Sequence, residues 1–280
     1  MIPENELTEF RDAVLHSARP LIFFDDDPDG VCSFLQMQKL NSEAKGVINK
    51  ATGMLDEQFL HKVEELDPDT VFILDVAEVS QEFLNKIHSC YWLDHHEPHS
   101  LKNVKYYNPM VASKGKDNRP TSYWAYRIAK KNLWLAMIGC VGDWFLPDDL
   151  KAEFSEKYPE LLPTRISKPE DALFSTQLGR LARVVSFNLK GSTRDAMTSV
   201  KLLSKIEEPD EILSQSTDAG KQLWKKYLKI HKTYEEIKSR VAVTEEEVIL
   251  FLYSEDEMSL TSDLSNEILY LYPDKFVIIG

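Results

Sequence analysis

Four short segments of this chain hold the residue types from which a metal centre is built. The first is Asp25-Asp26-Asp27-Pro28-Asp29-Gly30, directly after the apolar run LIFF at 21–24. Unit charges crowded this closely repel by about 1 to 4 kcal/mol per pair even in polar surroundings, and a cation among them is the simplest remedy. The other reading is an acidic turn that caps the next helix, with Gly30 serving the bend. The second segment is Asp75, which closes the apolar run VFIL. The third is Asp94-His95-His96 after CYWL. It offers one imidazole to ligate a metal, a second to face a substrate and a carboxylate to orient them. The fourth is Asp143 in IGCVGDWF, a mostly apolar context where a buried carboxylate without a partner would be costly. A helix cap ahead of Pro147 is the alternative there. Each segment alone has an ordinary explanation, whereas together they end three apolar runs and one later element with potential ligands.

The elements that must position them follow from periodicity. From Pro20 to about Asn108, apolar runs (LIFF, GVIN at 46–49, VFILD at 71–75, CYWLD at 90–94, VKYYN at 104–108) alternate with segments of helical spacing such as VCSFLQMQKL and SQEFLNKIH. This pattern predicts an α/β fold with a mostly parallel sheet covered by helices on both faces. Such sheets gather ligands at the carboxyl edge of their strands, where Asp75 stands. From Thr121 to about Ser204 the pattern predicts a helical insert with no strand. A long linker helix is expected over about 218–240, with Lys221, Lys225, Lys229 and Lys232 near one face. That face is either solvated or a surface for a strand. The segments VAVTEEEVILFLYS, LTSDLSNEILYLY and KFVIIG then predict strand, helix and strand, a smaller α/β segment. The expected organisation is a first domain over 1–205, linker helices over 206–240 and a partial α/β domain over 241–280, either unusually small or truncated.

A chain of 280 residues, 43% hydrophobic, can bury a substantial core. It shows no apolar stretch of membrane-spanning length and opens MIPENELTEFRD, unlike a secretory signal, so a cytoplasmic protein with no membrane partner is expected. Cys32, Cys90 and Cys140 lie far apart, which argues against a disulfide framework or zinc ribbon. A formal charge of −13 argues against a coat for long duplex DNA, although carboxylates around cations contribute to that charge.

The order Asp27-x-Asp29-Gly30, apolar run plus Asp75, Asp94-His95-His96 and Gly142-Asp143 resembles the four motifs of the DHH phosphoesterase superfamily, over roughly residues 20 to 145. That superfamily includes RecJ-like exonucleases, nanoRNases, cyclic dinucleotide phosphodiesterases, exopolyphosphatases and family II pyrophosphatases. The C-terminal segment resembles, more loosely, the start of the associated DHHA1 substrate domain. The resemblance implies two divalent metal ions, Mn²⁺ preferred and Mg²⁺ the alternative. Asp29, Asp75, His95 and Asp143 would hold one ion and Asp27 and Asp75 the other, making Asp75 the bridge. Asp25 stands where the family usually has histidine, and an aspartate there can still ligate a hard ion. His96 would face the scissile phosphate, with Asp94 behind it, so His96 and Asp75 are the expected catalytic residues. Further substrate contacts are sought in Ser122, whose loop Arg119-Pro120-Thr121-Ser122 enters a helix and either holds a phosphate or caps. Lys190 and Arg194 are either phosphate contacts or a surface pair. No glycine-rich GGGH-like segment of the nucleic-acid-acting members is present in the sequence. The expected activity is hydrolysis of short single-stranded DNA or RNA, or of dinucleotides. The alternatives are a pyrophosphate or polyphosphate hydrolase and a non-catalytic replication scaffold of the same fold.

Overall fold

The computed structural model describes residues 1–50, 53–254 and 258–280. Helix α1 (Glu4–His16) precedes strands β1 (Pro20–Asp25), β2 (Lys45–Asn49), β3 (Met54–Leu55), β4 (Thr70–Leu74), β5 (Glu78–Val79), β6 (Cys90–Leu93) and β7 (Lys105–Tyr107). Between and after them lie α2 (Pro28–Leu40), α3 (Leu60–Leu66), α4 (Gln81–Leu84) and α5 (Pro109–Ser113). A helical stretch follows: α6 (Thr121–Ala129), α7 (Leu133–Gly142), α8 (Asp148–Lys157), α9 (Pro169–Ser175), α10 (Gln177–Leu189), α11 (Thr193–Leu203), α12 (Asp210–Leu213) and α13 (Asp218–Lys238). The chain ends in β8 (Val248–Phe251), α14 (Thr261–Leu271) and β9 (Phe276–Ile279).

The main sheet is five-stranded, in the order β2-β1-β4-β6-β7, and every neighbouring pair is parallel. Parallel strands need cover on both faces, and the alternation of side chains supplies an apolar surface to each. Ile22, Phe24, Phe72 and Leu74 join the larger core beneath α1, α2, α6 and α7, while Leu21, Phe23, Val71 and Ile73 join the core under α3 and α4. The order also matters for chemistry, because β1, β4 and β6 are adjacent and each runs into one of the acidic segments at its carboxyl end. Both α/β expectations hold, and the stretch from Thr121 to Ser204 is helical as read from the sequence. The two-residue pair β3 and β5 is too short to leave a periodic signal.

Helix α7 (LWLAMIGCVG) is buried nearly all round, so it forms the centre of the helical layer and packs against α2 and α6. Helix α13 buries Leu223, Tyr227, Ile230, Tyr234 and Ile237 against this same layer. Strands β8 and β9 pair in parallel across α14. That helix docks through Glu267 on Arg183 of α10 (2.8 Å) and through Asp263 on Lys190 (2.8 Å). Among the described residues, no helix is long and apolar enough to cross a membrane.

Candidate metal centre

Strand β1 delivers the first acidic segment and stops because Asp27 caps α2, accepting the Gly30 amide at 2.9 Å with Pro28 at the first helical position. Gly30 is required by space: a Cβ there would stand 2.6 Å from the Asp25 carbonyl oxygen. Asp29, 1% exposed, is turned inward and accepts the Thr121 amide at 2.7 Å and the Ser122 amide at 2.9 Å. Those are free first-turn donors of α6, and the helix dipole favours the anion they hold. Asp75 leaves β4 in the left-handed region (φ 60°), a conformation Asp tolerates better than most residues. Its Oδ1 accepts the Thr121 hydroxyl at 3.0 Å.

His95 gathers the set. Its Nε2 lies 3.8 Å from Asp29 Oδ2, 3.5 Å from Asp75 Oδ1 and 3.5 Å from Asp143 Oδ2. Its Nδ1 faces the Asn118 carbonyl at 3.1 Å. A carbonyl only accepts, so Nδ1 carries a proton and Nε2 is the ring nitrogen turned toward the three carboxylates. An imidazole nitrogen and three carboxylate oxygens converging on one point is the donor arrangement a divalent cation takes. Two donors each about 2.1 Å from a common ion stand on the order of 3 to 3.5 Å apart, which matches these spacings better than hydrogen bonding does. The donor set, carboxylate oxygen with imidazole nitrogen, suits a divalent ion of the Mn²⁺ kind.

The protonation energetics agree. Burial, and then Asp29, raise the carboxyl of Asp27 above its usual range. Asp75 is raised well above it by burial, then by Asp29, Asp27, Asp94 and Asp143. Asp143 is raised by burial and then by Asp29 and Asp27. Asp25 is pushed up to about 7 by burial, then by Asp27 and Asp26. Asp27 and Asp75 lie close enough for one carboxyl, when protonated, to donate to the other. The cluster lacks positive charge. His96 is the exception: its Nδ1 meets Asp94 Oδ1 at 2.7 Å, and that bond holds the imidazole up to about 9. Asp94, fully buried, is fixed in turn by the His96 amide, the Tyr106 hydroxyl and Asn108.

No protein-family model and no curated protein matches this sequence. Solved structures do. RecJ from Thermus thermophilus, in complex with Mn²⁺, superposes with a TM-score of 0.66 at 13% identity, over 99% of this chain and 45% of that one. The exonuclease RecJ bound to manganese gives 0.62 at 15% identity, over 100% of this chain and 80% of that one. The DHH domain of a member of a family of ribosomal proteins gives 0.64 at 12%, over 98% and 74%. The fold is that of the DHH superfamily. Identities this low establish the architecture alone, and this chain spans less than half of the Thermus protein.

Within this DHH fold the structure brings together Asp25, Asp27, Asp29, Asp75, His95, His96 and Asp143, with Asp94 behind His96. One expected substrate contact is corrected. Ser122 is fully buried, its amide held by Asp29 and its hydroxyl near the Ala136 carbonyl, so the start of α6 serves the carboxylate and not a phosphate. Arg194 is exposed on α11 and does not line the cleft beside the centre, whereas Lys190 does line it. Sequence reasoning missed Thr121, whose hydroxyl holds Asp75, and Asn118, whose carbonyl sets the His95 tautomer. It also missed Lys50, which pairs with Asp26 beside the cluster. An isolated Asn or Thr in a loop carries no signal of such a role.

Proposed function

We propose that this chain is a two-metal phosphodiesterase acting on short single-stranded nucleic acid or dinucleotides. The observation that carries the reading is the convergence of His95 Nε2 with carboxylate oxygens of Asp29, Asp75 and Asp143 at 3.5–3.8 Å. Asp29, Asp75, His95 and Asp143 would hold one ion. Asp75, Asp27 and Asp25 would hold the other. When bound, the ions would supply Lewis acidity toward the phosphoryl oxygens and a nucleophile at neutral pH. The imidazole in this set favours Mn²⁺ over Mg²⁺. RecJ structures of the same fold have been solved with each of these ions.

The chain's own groups do the rest. Thr121 and the two α6 amides fix Asp75 and Asp29, so the ligands are preorganised. Asp94 fixes His96 through Nδ1 and leaves Nε2 free to donate to the phosphate or the leaving oxygen. The adjoining cleft, about 380 Å³, is lined by Asp27 and Asp143 on one side and by Trp144, Phe174, Arg183 and Lys190 on the others. The aromatic side chains Trp144 and Phe174 give a base something to pack on, which suits a nucleotide better than bare pyrophosphate.

The test is release of mononucleotides from labelled DNA and RNA oligomers in Mn²⁺, with pyrophosphate and a dinucleotide as parallel substrates. Mn²⁺-dependent cleavage of an oligomer or the dinucleotide supports the reading. Cleavage of pyrophosphate alone, or of nothing, overturns it.

A further inference from the structure

Four lysines, of which Lys190 pairs with Asp263 at 2.8 Å, and a strip of apolar surface line a groove next to the carboxylate cleft. This groove of about 600 Å³ lies between α11 and α13, lined by Lys190, Lys225, Lys226 and Lys229 together with Leu202 and Ile230. Lys190 lines both this groove and the cleft beside the carboxylate centre, so the two spaces adjoin. Among the described residues, Lys225, Lys226 and Lys229 have no ion-pair partner, in a chain whose net charge is −13. The Lys226 ammonium is half-buried and donates only to neutral oxygens, the Asn188 carbonyl at 2.6 Å, Ser199 Oγ at 3.0 Å and the Asp195 carbonyl at 3.4 Å. The Asp195 carboxylate, which borders the groove, is turned to Ser192 in the capping box of α11.

The rest of α13 shows what an unremarkable lysine does here. Lys221 pairs with Asp218 at 3.4 Å and Lys232 with Glu236 at 3.7 Å, and neither lines the groove. The four lysines that share a face by spacing therefore divide in two. Lys225 and Lys229 stay uncompensated over a groove, one helical turn apart or about 6 Å. Successive charges of a stacked nucleic acid strand are separated by about 3.4 Å, so the two ammonium groups can reach different phosphates. Leu202, Ile230 and Met258 offer apolar contact that a sugar or base uses and inorganic polyphosphate cannot.

We propose that this groove holds the sugar-phosphate backbone of a single strand whose scissile phosphate lies at the carboxylate centre, a site that rests on the phosphodiesterase reading and extends it to oligomers longer than a dinucleotide. The experiment is fluorescence anisotropy of a labelled single-stranded dodecamer in EDTA, across salt concentrations, with the full chain. Single strands lose about 0.7 in the log–log salt slope for each phosphate contact removed. The double variant Lys225→Gln/Lys229→Gln should therefore have a slope shallower by about 1.4, so that raising salt from about 50 to 200 mM weakens its binding about sevenfold less than that of the wild type. The double variant Lys221→Gln/Lys232→Gln, an equal change of charge on the same helix, should keep the wild-type slope. Equal slopes for all three proteins, an equal loss in both double variants, or displacement of the dodecamer by inorganic polyphosphate at equal affinity per phosphate would each overturn the proposal. Hydrolysis of the same dodecamer in Mn²⁺ separates the two readings. Binding with the expected slopes and no hydrolysis removes the enzyme and leaves the groove, while hydrolysis with unchanged slopes removes only the groove.

Discussion

Asp75→Asn is the substitution whose consequences run in opposite directions with and without metal. The side chain is 2% exposed, and an asparagine keeps its oxygen for the Thr121 hydroxyl while its amide can donate to Asp27. Shape is therefore conserved and one charge is lost. Asp75 Oδ1 and Asp29 Oδ2 stand 3.5 and 3.8 Å from the same His95 nitrogen, which caps their separation at about 7.3 Å. Two unit charges at that distance repel by about 2.3 kcal/mol at an effective dielectric of about 20, and Asp143, 3.5 Å from that nitrogen, adds a similar repulsion. Partial protonation already relieves some of this, so the metal-free variant should gain on the order of 2 kcal/mol, or about 4 to 8 °C in Tm for a domain of this size. In Mn²⁺ the order should reverse. A wild-type site at about a hundred times its Kd is stabilised by about 2.7 kcal/mol, whereas the variant has lost a ligand from both ions. Hydrolysis should fall about a thousandfold if about 4 kcal/mol of transition-state stabilisation is removed. Melting curves of both proteins in EDTA and in Mn²⁺, paired with an oligonucleotide cleavage assay, read all of this. A variant no more stable than wild type in EDTA, or one with the same Mn²⁺ shift, would refute the shared-carboxylate reasoning.

Three further outcomes follow from the same cluster. Carboxyls raised in the folded state bind protons that the unfolded chain releases, so their stabilisation is complete below the unfolded value near about 3.9 and is lost as pH rises toward about 7, the value for Asp25. Metal-free Tm should fall as pH climbs from about 4 to 7, and saturating Mn²⁺ should abolish or invert that slope; a flat metal-free profile would contradict the shifts. Asp25→His should change metal preference while leaving the EDTA melting transition cooperative; unchanged metal affinity and rate would show that position 25 is not a ligand. Mn²⁺ should support cleavage at lower concentration than Mg²⁺, and a titration in which Mg²⁺ is equal or better would count against the imidazole as ligand.

The sheet and the ends of its strands were legible because each carries its own signal. LIFF, VFIL and CYWL are short apolar runs, and a carboxylate at the end of such a run has few places to go but the sheet's upper edge. What holds those carboxylates was not legible. The amides that bind Asp29 lie more than ninety residues away in sequence, and no local pattern announces a helix start that serves a distant anion. Ser122 was misread for that reason: a free helix N-terminus looks the same whether a phosphate or a buried aspartate fills it. The lysines of α13 show the opposite limit. Their spacing is visible, but which of them meet a carboxylate depends on the positions of Asp218 and Glu236 on one side and of the groove on the other.

The scaffold alternative can be weighed by what the cluster does to the fold. A protein that used this architecture only as a platform would gain stability by replacing buried charged groups with apolar ones of similar volume, a change that is often neutral or favourable by about 1 to 4 kcal/mol. Here Asp27, Asp75 and Asp143 all sit with raised pKa values, and the burial and mutual repulsion that raise them are a standing cost to the folded state. His96 offsets part of that cost, but the rest of the surrounding structure does not neutralise the charges. It fixes them instead, with Thr121, the α6 amides and the Asn118 carbonyl each holding one ligand in place. Rigid orientation of groups that repel one another stabilises nothing by itself. It would favour the binding of a cation, because the groups need not be gathered when an ion arrives.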